Sequence, residues 1–263
     1  MTEYLYGRRA VLEALRANRR RMSALLLAEG VEETDIIRDI VRLAHEHGLS
    51  TRRVPRQVLA DLAHTTEHQG VALKAEDYPY VDVAAVFDLA RARGEPPFLL
   101  VLDLLQDPQN VGALLRVAEG VGVHGVIIQE RRAAEVTPAV VRASSGAVEH
   151  LNVAQVKNLV NAMRQLKEMG VWLVGMEAAP DAQPFDQANL SGAVGLVLGS
   201  EAKGLRRLVR EHCDMVIQLP MRGQIASLNV ATAGAVGLYA VWQARGWQGW
   251  RRSAGPEASQ LPD

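Results

Sequence analysis

Two apolar runs that end in polar loops, followed by a long helix of small residues, constrain the fold of this chain more than any other feature. The first run, 195–198, ends at Gly199, and the second, 215–219, ends at Pro220. The tripeptide Ser-Leu-Asn at 227–229 then opens the helix. Such runs predict buried strands of a parallel α/β sheet, in which ligands bind outside the carboxyl ends of the strands.

Both loops suit a nucleotide-like ligand. Gly199 lets the backbone approach a ligand without a Cβ in the way, and Pro220 has no N–H with which to continue a strand. The backbone N–H and C=O groups of the loops can bind the edge of an adenine ring. One such loop alone is more often an ordinary strand-end turn. Two of them before the Ser-Leu-Asn tripeptide favour a binding site.

Composition describes a globular chain without a general preference for nucleic acid. The 263 residues are 48% hydrophobic and 22% charged, which is enough for one large domain or two ordinary ones. The net charge is −1, so RNA binding would need local basic patches. A single cysteine, Cys213, excludes an intramolecular disulfide and a cysteine zinc cluster. With no signal peptide at the start, this predicts a cytoplasmic protein.

Residues 1–75 predict a small α/β domain, followed by a linker at 76–97. Arginines cluster within 8–21 and 52–56. They could bind phosphate or form a solvated surface, and charge alone favours neither interpretation. At the other end, the tail 247–263 is predicted to be disordered.

Residues 98–246 predict a second domain of alternating strands and helices, which form a parallel, Rossmann-like sheet with helices on both faces. Asn110 is expected to cap the helix after the first strand, and 153–169 to be mainly helical. The uncharged stretch 223–244 contains several polar residues, which favours a buried core helix over a membrane span. The GxGxxG pattern at 120–125 follows a helix and precedes a strand, so we reject it as a dinucleotide site.

Three blocks of sequence together resemble one enzyme family. They are LDLLQDPQNVGALLRVAEGVG, GSEAKGL and IQLPMRG followed by SLNV. These blocks resemble the motifs of the SpoU (TrmH-type) RNA 2′-O-methyltransferases of the SPOUT superfamily, over about 98–245. The N-terminal part, from YGRRAVLEAL to HQGVALKA, resembles the RlmB-type subgroup, which methylates a guanosine ribose of large-subunit (23S) ribosomal RNA.

The resemblance implies an architecture and a cofactor. It implies an L30e-like RNA-binding domain at the N-terminus, a deep trefoil knot in the C-terminal domain, and a homodimer. The cofactor would be S-adenosylmethionine, bound across the two loops. The implied cofactor-binding residues are Gly199, Leu219 and Leu228, with Leu198, Ile217 and Ser227 in the same neighbourhood.

The resemblance also implies a set of catalytic residues. Arg116 matches the arginine that is considered to activate the ribose hydroxyl, although the sequence around it alone would suggest a surface residue. A guanidinium is a poor base at neutral pH, so we expect it to stabilise negative charge on the hydroxyl oxygen. Glu201 would orient Arg116 or accept a proton, and Asn110 and Asn229 would fix the loops and bind substrate. No residue set has metal-ligand spacing.

Three other functions remain open from the sequence. A transfer-RNA ribose methyltransferase of the same family would carry the same motifs. A non-catalytic RNA-binding or ribosome-assembly factor would not need the four polar residues assigned to catalysis. An NAD-dependent enzyme would require the misplaced glycine pattern to bind a dinucleotide.

Overall fold

The computed structural model describes residues 2–200, 203–225 and 227–250, and it contains two β-sheets. The first sheet is mixed, and all paired strands of the second are parallel. This confirms the predicted fold class, with an α/β unit at the N-terminus and a Rossmann-like unit after it. The domain boundaries given above and the trefoil knot stay predictions.

The N-terminal unit has four strands in the order β1-β4-β2-β3. Its elements are β1 (Thr2–Tyr6), α1 (Arg8–Ala17), β2 (Met22–Ala28), α2 (Asp35–Glu46), β3 (Ser50–Val54), α3 (Arg56–Ala63) and β4 (Val71–Glu76). Sequence periodicity predicts the helices and the central strands β2 and β4. It misses β1 and β3, which are edge strands. Every residue of β3 is at least partly exposed, so its sequence carries no apolar alternation.

The connecting segment forms a 3-10 turn and a short helix, which lead into the second unit. The turn is Val83–Phe87 and the helix is α4 (Asp88–Arg93). His124 is buried at the amino edge of the second sheet, where its side chain joins the start of β6 to the segment that leads into β5. Its Nδ1 accepts the Phe98 N–H at 3.0 Å, and its Nε2 lies 2.9 Å from a Glu95 carboxylate oxygen. These two contacts give the side chain a structural role, and burial lowers the pKa of its imidazole.

The C-terminal unit is a seven-stranded sheet in the order β7-β6-β5-β10-β8-β11-β9. Its strands are β5 (Phe98–Asp103), β6 (Gly125–Gln129), β7 (Val153–Val156), β8 (Trp172–Met176), β9 (Gln183–Pro184), β10 (Val194–Gly199) and β11 (Met215–Gln218). Its helices are α5 (Pro108–Gly120), α6 (Pro138–Ala143), α7 (Leu159–Glu168), α8 (Arg207–His212) and α9 (Val230–Ala244). Apolar cores cover both faces of the sheet.

Three expectations about local structure in this unit need correction, in whole or in part. The stretch 153–169 is mainly helical as expected, through α7, but it begins with the edge strand β7, because four residues are too few to show a strand period. Asp107, not Asn110, caps α5, and its carboxylate accepts the backbone N–H groups of Gln109 and Asn110. Pro108 fits the first turn of α5, where no N–H partner is needed.

The uncharged stretch 223–244 forms the expected helix over part of its length. Among its described residues, only Val230–Ala244 are helical, and this helix buries one side while Val236 and Tyr239 are exposed on the other. On the buried side, a Cβ at Gly234 would collide with Leu114 of α5 and Leu198 of β10. Glycine at this position therefore lets α9 lie directly on the sheet. Across the described residues, no helix combines the length and apolarity that crossing a membrane requires.

The two units share a buried ionic contact. Arg20, whose side chain is 1% exposed, pairs with Glu149 at 2.7 Å and also with Glu3. Its guanidinium lies 5.1 Å from the ring centroid of Tyr78. Arg19 donates to the Asn152 side chain at 3.1 Å. These two members of the N-terminal arginine cluster therefore hold the units together, so the phosphate-binding interpretation is wrong for them.

Candidate active site

A cleft opens at the carboxyl edge of the large sheet, beyond β8, β10 and β11. Its walls include five of the six residues predicted to bind the cofactor: Leu198, Gly199, Leu219, Ser227 and Leu228. The sixth, Ile217, is not among the described lining residues, and its side chain is fully buried beside Met176 on β8. The sheet and the start of α9 thus bring together segments from three separate parts of the chain.

The loop after β10 is closed by two glycines. Ser200 and Gly204 exchange backbone hydrogen bonds of 3.1 and 2.8 Å, which bring the two ends of this loop together. A Cβ on Gly199 would lie inside the backbone of Gly204 and Leu205. Gly204 has φ of +61°, the left-handed region that favours glycine. Glycine at 199 is therefore a steric requirement of this loop.

Glu177, which follows β8, is a cleft residue that the sequence analysis missed. Its Oε1 accepts the Leu205 N–H at 3.0 Å, and its Oε2 accepts Arg210 Nε at 2.9 Å. The carboxylate thus ties the end of β8 to the loop after β10. Its position, directly after an apolar strand, is a signal that could have found it.

Asn110 and Asn229 meet at the rim of the cleft, although 119 positions separate them in the sequence. Asn229 Nδ2 donates to Asn110 Oδ1 at 2.9 Å. The Asn229 Oδ1 caps α9 by accepting the N–H groups of Ala231 and Thr232. This contact fixes the start of α9 against the first turn of α5, which supports the predicted role of both asparagines in loop geometry.

Arg116 is not among the described residues that line the cleft. It is exposed and lines a groove with Arg9 of α1, away from the described walls of the cleft. Its Nη1 donates to Ser145 Oγ at 3.3 Å. Ser145 adopts a φ of +55°, which is unusual for a residue other than glycine. Arg116 is about 9 Å along α5 from Asn110, so the chain alone does not gather all the predicted catalytic residues.

Glu201 lies outside the described residues. The segment that follows it ends at Arg206, whose backbone N–H and Nε donate to the Asp103 carboxylate at 2.8 and 2.6 Å. Asp103 is buried at the end of β5. The ionic contact between Arg206 and Asp103 therefore fixes the chain to the end of β5 directly after the cleft loop.

Comparison with known proteins decides the family. Residues 97–239 match the model of the SpoU rRNA Methylase family. The chain belongs to the SpoU methylase family. The N-terminal residues 4–81 of this SpoU methylase match a second family model, RNA 2′-O ribose methyltransferase substrate binding. The resemblance to the SpoU (TrmH-type) RNA methyltransferases is thereby confirmed, and the two matches establish an RNA methyltransferase with an RNA substrate-binding unit.

Similar proteins cover nearly the whole SpoU methylase chain. A putative TrmH family tRNA/rRNA methyltransferase, YacO of Bacillus subtilis, is 38% identical over 92% of this chain and 96% of its own length. The 23S rRNA (guanosine-2′-O-)-methyltransferase RlmB of Pectobacterium atrosepticum is 36% identical over 94% of this chain and 100% of its own.

The fold of this SpoU methylase also matches solved structures. The SpoU methyltransferase AviRb from Streptomyces viridochromogenes, in complex with its cofactor AdoMet, superimposes with a TM-score of 0.75 at 24% identity. That match covers 93% of this chain and 90% of AviRb. At this identity the likeness establishes the fold alone.

Proposed function

We propose that this protein transfers a methyl group from S-adenosylmethionine to a ribose 2′-hydroxyl of RNA, at a guanosine of large-subunit ribosomal RNA. One observation carries the proposal: five of the six residues predicted to bind the cofactor line one cleft at the carboxyl ends of the strands. The cofactor-bound AviRb structure supports the choice of cofactor, and the RlmB relative supports the choice of nucleoside and RNA.

The cleft residues fit the chemistry of S-adenosylmethionine. Leu219, Leu228 and Met221 supply apolar surface for a purine ring, while Gln218 and Ser227 supply polar groups beside it. When bound, the cofactor would supply an electrophilic methyl group. The fixed turn at Gly199 and the contact between the two asparagines would hold the cleft open without rearrangement.

Arg116 would stabilise the negative charge that develops on the attacking hydroxyl oxygen and would bind the neighbouring phosphate. Its exposure leaves the guanidinium accessible to RNA, and the Ser145 hydroxyl orients it. Glu201 would orient Arg116 or accept the proton of the hydroxyl, and the two asparagines would bind substrate at the rim of the cleft.

A homodimer is the proposed working form, with α9 at its interface. Val236 and Tyr239 are exposed on one side of this uncharged helix, and Trp247 is exposed just beyond it. Such a patch is characteristic of protein interfaces. Because α9 packs on α5, a second copy docked there would approach the surface that carries Arg116. Analytical ultracentrifugation tests the dimer, and a monomer at micromolar concentration would contradict it.

Binding and turnover of the Arg116→Ala variant test the proposed function. We expect titration calorimetry to give the same S-adenosylmethionine affinity as in the wild type, because Arg116 does not line the cleft. We expect methyl transfer to RNA to fall by at least about 100-fold, the usual cost of losing an electrostatic stabiliser. Loss of cofactor binding would instead make Arg116 structural.

Two alternatives are outcomes of the same measurements. Methylation of transfer RNA alone would retain the chemistry and change the substrate. Cofactor binding without methylation of any naked RNA would favour a precursor particle as substrate, and no cofactor binding would favour a non-catalytic RNA-binding factor. The cytoplasmic location inferred from the sequence stays a prediction.

A further inference from the structure

A second cleft lies at the same edge of the large sheet, beyond the ends of β6 and β7. Four cationic side chains line it: Lys157, Arg164, Arg206 and Arg207. We call this the basic groove. Among the described residues that line it, none is acidic. The chain as a whole has a net charge of −1, so this local excess of positive charge stands apart from the average surface.

Arg206 is held rigidly in the basic groove. The buried Asp103 carboxylate binds its backbone N–H and its Nε, and Gln129 Oε1 accepts its Nη2 at 2.8 Å. These contacts leave Nη1 without a partner in the described part of the chain, and the side chain is 41% exposed. The guanidinium is therefore already oriented for a further acceptor, so little rotamer freedom is left to lose on binding.

Two other cations of the groove are available for a ligand. Lys157 has no hydrogen-bond or ion-pair partner within the described ranges. Arg164 donates only its Nε, to His212 Nε2 at 3.1 Å, so both of its terminal nitrogens remain available among the described contacts. Arg207 pairs with Glu211, but its side chain is 79% exposed, so this pair contributes little and is easily exchanged.

The position of the basic groove relates it to the cofactor cleft. Both lie at the carboxyl edge of one sheet, and β6 and β7 are two and three strands away from β10. With neighbouring strands about 4.8 Å apart, the groove begins roughly 10–15 Å from the loop at Gly199. A nucleic acid strand whose reacting ribose enters the cleft could reach that far with its adjacent nucleotides.

We propose that the basic groove binds backbone phosphates of the substrate RNA strand beside the methylated nucleotide. The proposal rests on the proposed function for the identity of the RNA. Clustered cations repel one another, and phosphate oxygens relieve this repulsion while accepting the fork of N–H groups that arginine presents. The groove would thus extend the RNA-binding surface beyond the N-terminal unit and contribute affinity without sequence preference.

The salt dependence of RNA binding tests this proposal directly. The test variant is Lys157→Gln with Arg164→Gln, and the probe is an unmodified large-subunit ribosomal RNA transcript. Each lost phosphate contact reduces the slope of log affinity against log salt by about 0.7–0.9. We expect the slope of the double variant to be smaller by about 1.4–1.8, and its dissociation constant at low salt to rise on the order of tenfold.

The matched control is Arg91→Gln with Arg93→Gln. Both arginines are exposed on α4, which leads into the amino end of β5, so the control removes the same charge from the opposite edge of the sheet. We expect it to retain the wild-type slope. An unchanged slope in the Lys157 and Arg164 variant, or an equal reduction in the control, would overturn the proposal.

Two further readouts separate binding from folding and catalysis. We expect the groove variant to retain its melting temperature and its S-adenosylmethionine affinity, and to methylate at the wild-type kcat with saturating RNA. A loss of kcat with unchanged RNA affinity would contradict the proposal. If the double variant does not fold, Lys157→Gln alone should reduce the slope by about 0.7–0.9. If the wild type neither binds S-adenosylmethionine nor transfers a methyl group, the proposed function fails, and the binding slopes still decide the groove.

Discussion

Replacing Gly199 by alanine should disable cofactor binding through a single added methyl group. The new Cβ would overlap the carbonyl carbon and oxygen of Gly204 and the nitrogen of Leu205, which are all backbone atoms. Ordinary van der Waals contact begins at about 3.4 Å, so the turn must move by roughly 1 Å. Since φ at Gly199 is not in the left-handed region, the cost is steric and not conformational.

The expected magnitudes follow from that displacement. Overpacking of this kind costs about 1–3 kcal/mol, which lowers the melting temperature of a domain of this size by about 2–12 °C. A shift of 1 Å in a binding site can cost about 100-fold in activity. We therefore expect S-adenosylmethionine affinity to fall by at least about tenfold in titration calorimetry, while the protein remains folded.

The matched control is Gly192→Ala. Gly192 precedes the same strand, and a Cβ there would have no neighbour within 4 Å. We expect wild-type cofactor affinity and melting temperature in this variant. If Gly199→Ala bound S-adenosylmethionine as tightly as the wild type, the turn after β10 would not form the cofactor site, and the steric argument would be refuted.

Three other predictions concern the rim of the cleft, the contact between the units and the single thiol. Asn229→Ala should lower the free energy of unfolding by about 1 kcal/mol because it removes the cap of α9, whereas Asn229→Ser should keep the cap. Chemical denaturation measures both variants, and equal destabilisation of the two would contradict this prediction. Glu149→Leu should lower the free energy of unfolding by about 3–5 kcal/mol, because it leaves Arg20 buried with one fewer counter-charge. Adding Arg20→Met should restore most of that stability. No recovery in the double variant would count against the ion pair. Burial, and secondarily a neighbouring carboxylate, raises the pKa of the Cys213 thiol to about 12, so at pH 8 it stays neutral and should react with Ellman's reagent only after unfolding. Rapid reaction of the native protein would show that the thiol is accessible and ionised.

Sequence patterns predicted the parts of the fold whose residues are buried on a regular period. The central strands β5 and β10 are buried along their entire length, so their apolar runs were unmistakable. The edge strands β1, β3 and β7 are short or polar, and only pairing with a neighbour makes them strands. Local propensity could not supply that information.

The residues of the candidate site likewise include some that sequence patterns could place and others that only packing brings together. Gly199 ends β10 and Leu219 follows β11, so both could be placed at the carboxyl ends of strands from the sequence. The contact between Asn110 and Asn229 and the one between Arg116 and Ser145 each join segments distant in sequence, and only the packing of α5 against α9 and α6 reveals them. For the same reason, the sequence grouped Arg19 and Arg20 in an arginine cluster that was open to phosphate binding, although both contact the second unit.

Methyl transfer from tritiated S-adenosylmethionine to unmodified RNA, followed by nucleoside analysis, tests the central claim most directly. Large-subunit ribosomal RNA and total transfer RNA would be incubated separately with the wild type and with Gly199→Ala. We expect 2′-O-methylguanosine in the ribosomal RNA with the wild type, and a product reduced by at least about tenfold with the variant. A methyl group on a base, or equal transfer by both proteins, would contradict it.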